Sequence, residues 1–196
     1  MSIFIATNAT GVEPSLAGVL KEICRRAVDG TIDRALKHKI TNTADSSAIA
    51  STTDETAFSV TQDLSAGLYQ PGRIFRLTAS GVFSTTGTPT LQFRVKIGTT
   101  TIVEFTAQAA PNNSSSQPFL IQAEIITRSL GATGTVMGQG RLFFGTSAAV
   151  ENVVNAAATT VNTTTEQTIN VTADWSANSS SNTTTLKTLI LELSDY

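Results

Sequence analysis

The chain has one cysteine, one histidine, one tryptophan and two tyrosines in 196 residues, and only 14% of its residues are charged. Each shortage excludes something. Cys24 alone cannot build an intrachain disulfide framework, and its place in a helical pattern suits a small buried hydrophobe better than a reactive thiol. His38, set between Lys37 and Lys39, cannot anchor a multi-histidine metal site, and it reads as a solvated or interface residue rather than a triad base. A net charge of −2 leaves no electrostatic footprint for nucleic acid. The basic residues of segment 21–39 are interspersed with Glu22, Asp29 and Asp33, so no nucleic-acid partner is expected there either. No apolar run approaches the ~20 residues of a membrane span. The N-terminus has no basic region followed by a long apolar segment, so no secretory signal is expected. These absences predict a soluble product made in a cytoplasm, with no membrane partner.

Thr, Ser and Asn fill the place that charge takes in an average domain, where it reaches roughly 25%. Threonine is β-branched and fits a pleated surface, so this is polarity of the strand-forming kind. The clearest pattern runs over residues 73–107. Leu91, Phe93, Val95 and Ile97 alternate with Gln92, Arg94 and Lys96, the period of a strand with one buried and one wet face. Phe75, Leu77 and Ala79 alternate upstream, and Ile102, Val103 and Phe105 follow after Gly98. Gly87 and Pro89 mark a turn between the first two runs. The unit reads as a β-meander.

Further strands are expected around Phe58 and Val60, and over 119–129 and 167–175, with Leu189, Leu191 and Leu193 in step near the C-terminus. Segment 41–56 reads as a polar connection holding a strand near Ala48 and Ile49. Gly138 and Gly140 interrupt a strand over 135–144, which predicts a bulge or a close backbone approach. Segment 146–165 is weaker, a short helix or an edge strand. Eight or nine strands at short spacing predict an all-β, antiparallel, jelly-roll-like β-sandwich over residues 41–196.

Residues 1–40 read differently. Ile3, Phe4 and Ile5 form an apolar arm, and Pro14 suits the first turn of a helix. Leu16, Val19, Leu20, Ile23, Cys24, Ala27 and Val28 then keep helical spacing up to Gly30, the pattern of a short amphipathic α-helix. A second helical turn is expected over 32–37. The helix either covers an open face of the sandwich or packs against another subunit, and its place ahead of the sheet, behind an apolar arm, favours the second.

Catalytic patterns do not emerge. Asp54 and Glu55 are adjacent, so on a strand they point to opposite faces, the wrong arrangement for an acid–base pair. Asp45 and Asp54 offer loop oxygens to calcium but match no calcium-loop spacing. No phosphate loop, dinucleotide fingerprint or nucleophile elbow occurs. The expectation is a non-enzyme without cofactor or metal. Exposed aromatics on small sandwiches can bind sugars, and Tyr69, in a turn, is the candidate glycan contact. Trp175 keeps step with Ile169 and Val171, which favours the core.

Segment 43–58 (TADSSAIASTTDETAF), the turn and strand from Leu68 to Leu77, and segment 80–102 together resemble a β-sandwich module of structural proteins in tailed bacteriophages. The resemblance covers roughly a third of the chain. It implies a virion protein: a capsid decoration (cement) protein, a tail component or a fibre domain. A compact sandwich behind a short arm and helix is most similar to a cement protein, in which three copies associate over a capsid threefold. The implied partners are the major capsid protein, whose neighbouring subunits it would bridge to stabilise the shell, and the chain itself as a homotrimer. The implied location is the virion, assembled in the host cytoplasm. Ile3, Phe4, Ile5, Leu16, Val19, Leu20, Ile23 and Val28 would then make the oligomer or capsid contacts. A tail or fibre component that binds host-surface glycans is the alternative.

Overall fold

The computed structural model describes residues 39–146 and 150–194. The chain divides between Lys37 and His38, and all described residues belong to the second unit, His38–Tyr196. The arm and helix expected from Ile3 to Val28, the turn at 32–37, and His38 all lie outside the described residues.

The described residues form an all-β, antiparallel structure of two sheets. Its strands are β1 (Lys39–Thr41), β2 (Ile49–Ala50), β3 (Thr56–Ala57), β4 (Gln62–Leu64) and β5 (Ile74–Ser84). Next come β6 (Thr90–Ile97), β7 (Thr100–Glu104), β8 (Gln108–Ala109), β9 (Gln117–Ser129) and β10 (Gly134–Phe144). The last are β11 (Val150–Val154), β12 (Thr159–Val161), β13 (Gln167–Trp175) and β14 (Thr183–Ser194). The larger sheet runs β1-β14-β5-β9-β10-β11, with β2 on β14 and β12 on β10. The smaller runs β3-β13-β6-β7, with β4 on β13 and β8 on β6.

Within this sandwich-like arrangement, early strands pair with late ones in a nested order. β5 pairs with β14 in one layer and β6 with β13 in the other. The two corners that carry the chain between layers, 85–89 and 176–182, therefore lie side by side. Asn182, only 1% exposed, stitches them: its Oδ1 accepts from the Thr86 amide at 3.0 Å and its Nδ2 donates to the Ala177 carbonyl at 3.1 Å. β9 and β10 depart from this nesting and form a local hairpin in the larger sheet.

The meander expected over 73–107 is corrected by this arrangement. β6 and β7 pair as a hairpin, but β5 belongs to the opposite sheet. Alternation shows that a strand has one dry face and cannot show which layer supplies the partner. The corner holding Gly87 (φ +69°) and Pro89 is pinned instead by Thr85, whose amide donates to the Ser114 carbonyl at 2.9 Å. The weak stretch 146–165 contains edge strands, β11 and β12, rather than a helix.

The core fills the space between the layers. Phe93 of the smaller sheet meets Phe119 of the larger at 4.6 Å between ring centroids, and Phe83 stacks on Phe144 at 4.4 Å. Trp175 is 1% exposed and its indole N–H reaches the Ile49 carbonyl at 3.4 Å, so the core position expected for it is found. Each such fully buried side chain contributes about 1.5–3 kcal/mol of transfer free energy. Gly138 and Gly140 explain themselves here. A Cβ at Gly138 would come within 2.8 Å of the Ile102 carbonyl oxygen, and one at Gly140 within 2.8 Å of Val103. β10 thus passes directly against β7 of the other sheet, which is the close approach expected from the glycines; the register shift in β10 lies elsewhere, between Thr135 and Val136. On that side Asn155 donates to the Ile102 carbonyl at 2.8 Å and Glu151 accepts from the Thr106 amide at 2.7 Å. Side chains of the larger sheet thereby satisfy edge groups of the smaller one.

Candidate binding face on the larger sheet

The two sheets turn very different outer faces to solvent. On the smaller sheet, the wet side of β6 carries Gln92, Arg94 and Lys96, and the register places Arg94 between Glu104 on β7 and Thr172 on β13. Arg94 Nε donates to Glu104 at 2.9 Å, Nη2 donates to Gln92 at 2.8 Å, and Nη1 pairs with Asp174. Lys96 Nζ and Thr172 Oγ1 both donate to Glu55, at 2.8 and 2.7 Å. Burial alone would raise the Glu55 pKa, but these hydrogen bonds and the charges of Lys96 and Arg94 hold it below the ordinary carboxylate value. For Arg94, burial opposes the charge, while Asp174 and Glu104 more than restore it and raise its pKa. Each side chain of this cluster has at least one partner within it. It clamps the segment around Glu55 to the sheet and offers little to a ligand.

On the larger sheet, three cross-strand rows follow one another along the outer face. The first is Glu192–Arg76–Glu124–Gln139, the second Thr78–Gln122–Arg141–Asn152, and the third Ser80–Leu120–Phe143–Val150. Neighbours within a row are close enough to interact, as directly opposed cross-strand residues are. In the first row Arg76 Nε donates to Glu124 Oε1 at 2.9 Å and Gln139 Nε2 donates to Glu124 Oε2 at 2.7 Å. Those two bonds, the amide's first and the guanidinium's second, hold the Glu124 carboxyl below its ordinary range despite partial burial.

The second row is unlike the first. The side chains of Thr78, Gln122 and Arg141 have no hydrogen-bond or ion-pair partner among the described residues. Asn152 makes only a long 3.4 Å bond to the Val150 carbonyl. The third row is largely apolar, and Phe143 at 37% exposure is one of the large hydrophobic side chains left open to solvent. The first two rows line a groove of about 510 Å³, with Val154 at its far side. This size lies within the range of small-ligand sites.

Tyr69, expected as an exposed glycan contact, is 2% exposed and packs edge-on against Phe75 at 5.3 Å. Its turn folds back over the core instead of projecting, so the ring has no free face for a sugar. Its hydroxyl has no hydrogen-bond partner among the described residues, and burial pushes its pKa up to about 12. Asp45 is paired with Lys187 at 2.5 Å. Among the described residues no group of three or more His, Cys, Asp or Glu could hold a metal ion, and no helix is long and apolar enough to cross a membrane.

No protein-family model matches the chain, and no curated protein matches its sequence. The groove residues were within reach of the sequence only as wet positions on separate strands. Gln122 stands out as a polar alternate on β9, but nothing in the sequence places it beside Arg141, Thr78 and Asn152.

Proposed function

We propose that this chain is a structural protein of a tailed-bacteriophage virion, a capsid decoration protein that stabilises the shell by bridging neighbouring major capsid protein subunits. The observation that best supports this reading is how the described unit begins. β1 pairs with the terminal strand β14 in register, Lys39 opposite Glu192 and Thr41 opposite Ile190. The described unit therefore opens on a strand that is hydrogen-bonded into the larger sheet. A decoration protein must carry force from an anchor to its body, and a hydrogen-bonded strand carries it better than a flexible tether. In this reading Ile3, Phe4, Ile5 and the Leu16, Val19, Leu20, Ile23 and Val28 face supply the anchor, as capsid contacts or as the seam of a homotrimer. Avidity over many shell sites then turns modest contacts into stable decoration.

The test is deletion of residues 1–30. The shortened protein is expected to keep its sandwich, with native β-sheet circular dichroism and a cooperative melt, while losing attachment to undecorated capsids in a sedimentation assay. Normal decoration by the shortened protein would reject the proposal. A second reading, a tail or fibre component that contacts host-surface glycans, is favoured by the unpaired row on the larger sheet. Imaging of a labelled particle separates the two: many copies over the shell against a few at the tail.

A further inference from the structure

The second row of the larger sheet presents polar groups that the fold leaves unused. Thr78, Gln122 and Arg141 are without side-chain partners among the described residues, although Glu124 and Glu192 stand in the adjacent row. Glu124 already has both oxygens engaged, by Arg76 and Gln139. Arg141 influences Glu124 only through its charge, without a direct bond. Its planar fork of donors therefore faces the groove uncommitted. Gln122 and Asn152, its neighbours across β9 and β11, each bring a donor and an acceptor, and Thr78 adds a hydroxyl that is both. One strand repeat further, about 7 Å along the sheet, Phe143 is partly exposed and with Leu120 lines the hollow adjoining the groove.

These features specify a ligand. Groups that both donate and accept match vicinal hydroxyls, which do the same. An exposed ring beside them matches the apolar C–H face of a pyranose. The guanidinium fork matches a carboxylate in two-point geometry. The groove's own charges bound the ligand further: Arg76 and Arg141 are balanced by Glu124 and Glu192, so a compact single anion is accommodated and a polyphosphate is opposed.

We infer that this groove binds a carboxylated sugar, the uronate or sialate unit of a polysaccharide. Arg141 takes the carboxylate, Gln122, Asn152 and Thr78 take ring hydroxyls, and Phe143 packs against the ring. The paired first row holds the wall rigid and stays out of direct recognition. The inference rests on the groove alone and holds wherever in a particle the protein sits.

The test uses the full chain against an immobilised panel of oligosaccharides containing galacturonate, glucuronate, mannuronate or N-acetylneuraminate, each beside its neutral counterpart. At least one carboxylated member is expected to bind saturably and at least tenfold more tightly than its neutral partner. Arg141→Ala is expected to abolish that preference, Arg141→Lys to recover only part of it, and Phe143→Ala to weaken binding several-fold. Because these side chains are exposed, the variants are expected to melt with the parent protein, which separates loss of binding from loss of fold. Arg76→Gln serves as the contrast and should retain the carboxylate preference. Absence of saturable binding across the panel overturns the inference, as does a preference unchanged in Arg141→Ala. Since the assay needs no capsid, its failure is distinct from failure of the decoration reading.

Discussion

The outer faces of the two sheets are built from the same alternating pattern and reach opposite ends. On the smaller sheet, Arg94 gathers Glu104, Asp174 and Gln92, and Glu55 gathers Lys96 and Thr172, so charge is consumed in holding the molecule together. On the larger sheet, one row is consumed in this way and the next is left open. Exposure of polar residues is therefore a poor guide to a binding face. What distinguishes the open row is the absence of internal partners, because a group already hydrogen-bonded must give up that bond before it can serve a ligand.

Four measurements test this contrast between the faces. The largest effect is expected where both sheets meet. Gly138→Val would drive a side chain into the Ile102 carbonyl and into Val103, forcing the layers apart. A loss of about 1–3 kcal/mol or more is expected in urea denaturation. An unchanged midpoint would mean that the layers are not in contact there.

Next comes the clamp of the smaller sheet. Arg94→Met keeps much of the stem but leaves Asp174, Glu104 and Glu55 without their shared cation. We expect a loss of about 1–3 kcal/mol, the scale of hydrogen bonds to charged groups. Because Arg94 is only 16% exposed as a side chain, the deficit should survive added salt better than that of a surface pair.

Acid titration should reach both faces at once. Glu55 and Glu124 have folded-state pKa values below 4.5, their unfolded reference, so the stability they contribute is present above about that pH. It is lost as pH falls through 4.5 and below toward their folded values. Stability measured between neutral pH and pH 5 should therefore change little from these two groups, and Glu55→Gln should show a shallower decline in the acid range than the parent.

The smallest effect belongs to the open row. Arg141→Ala is expected to shift stability by no more than about 0.5 kcal/mol, as for a surface residue without partners. A thermal melt that moved by many degrees would show that Arg141 is structural and would erase the contrast between the faces.

Much of the fold was legible in the sequence because burial imposes a period. The strand over 167–175 is β13 residue for residue, and Trp175 follows its apolar neighbours into the core. Gly138 and Gly140 announced a close approach because a strand rarely gives up two side chains without one. Tyr69 misled for a related reason. A turn composition says that the backbone reverses, and it does not say which way the ring swings.

The sequence alone was enough to settle that the chain would make short antiparallel strands and which face of each would be dry. Tertiary structure alone decided the layer assignment of β5, the clamp around Arg94, and the row of Thr78, Gln122, Arg141 and Asn152. The physical reason is range. Alternation is a local property of two successive residues, whereas cross-strand register joins positions tens of residues apart through hydrogen bonds that leave no mark on either segment alone.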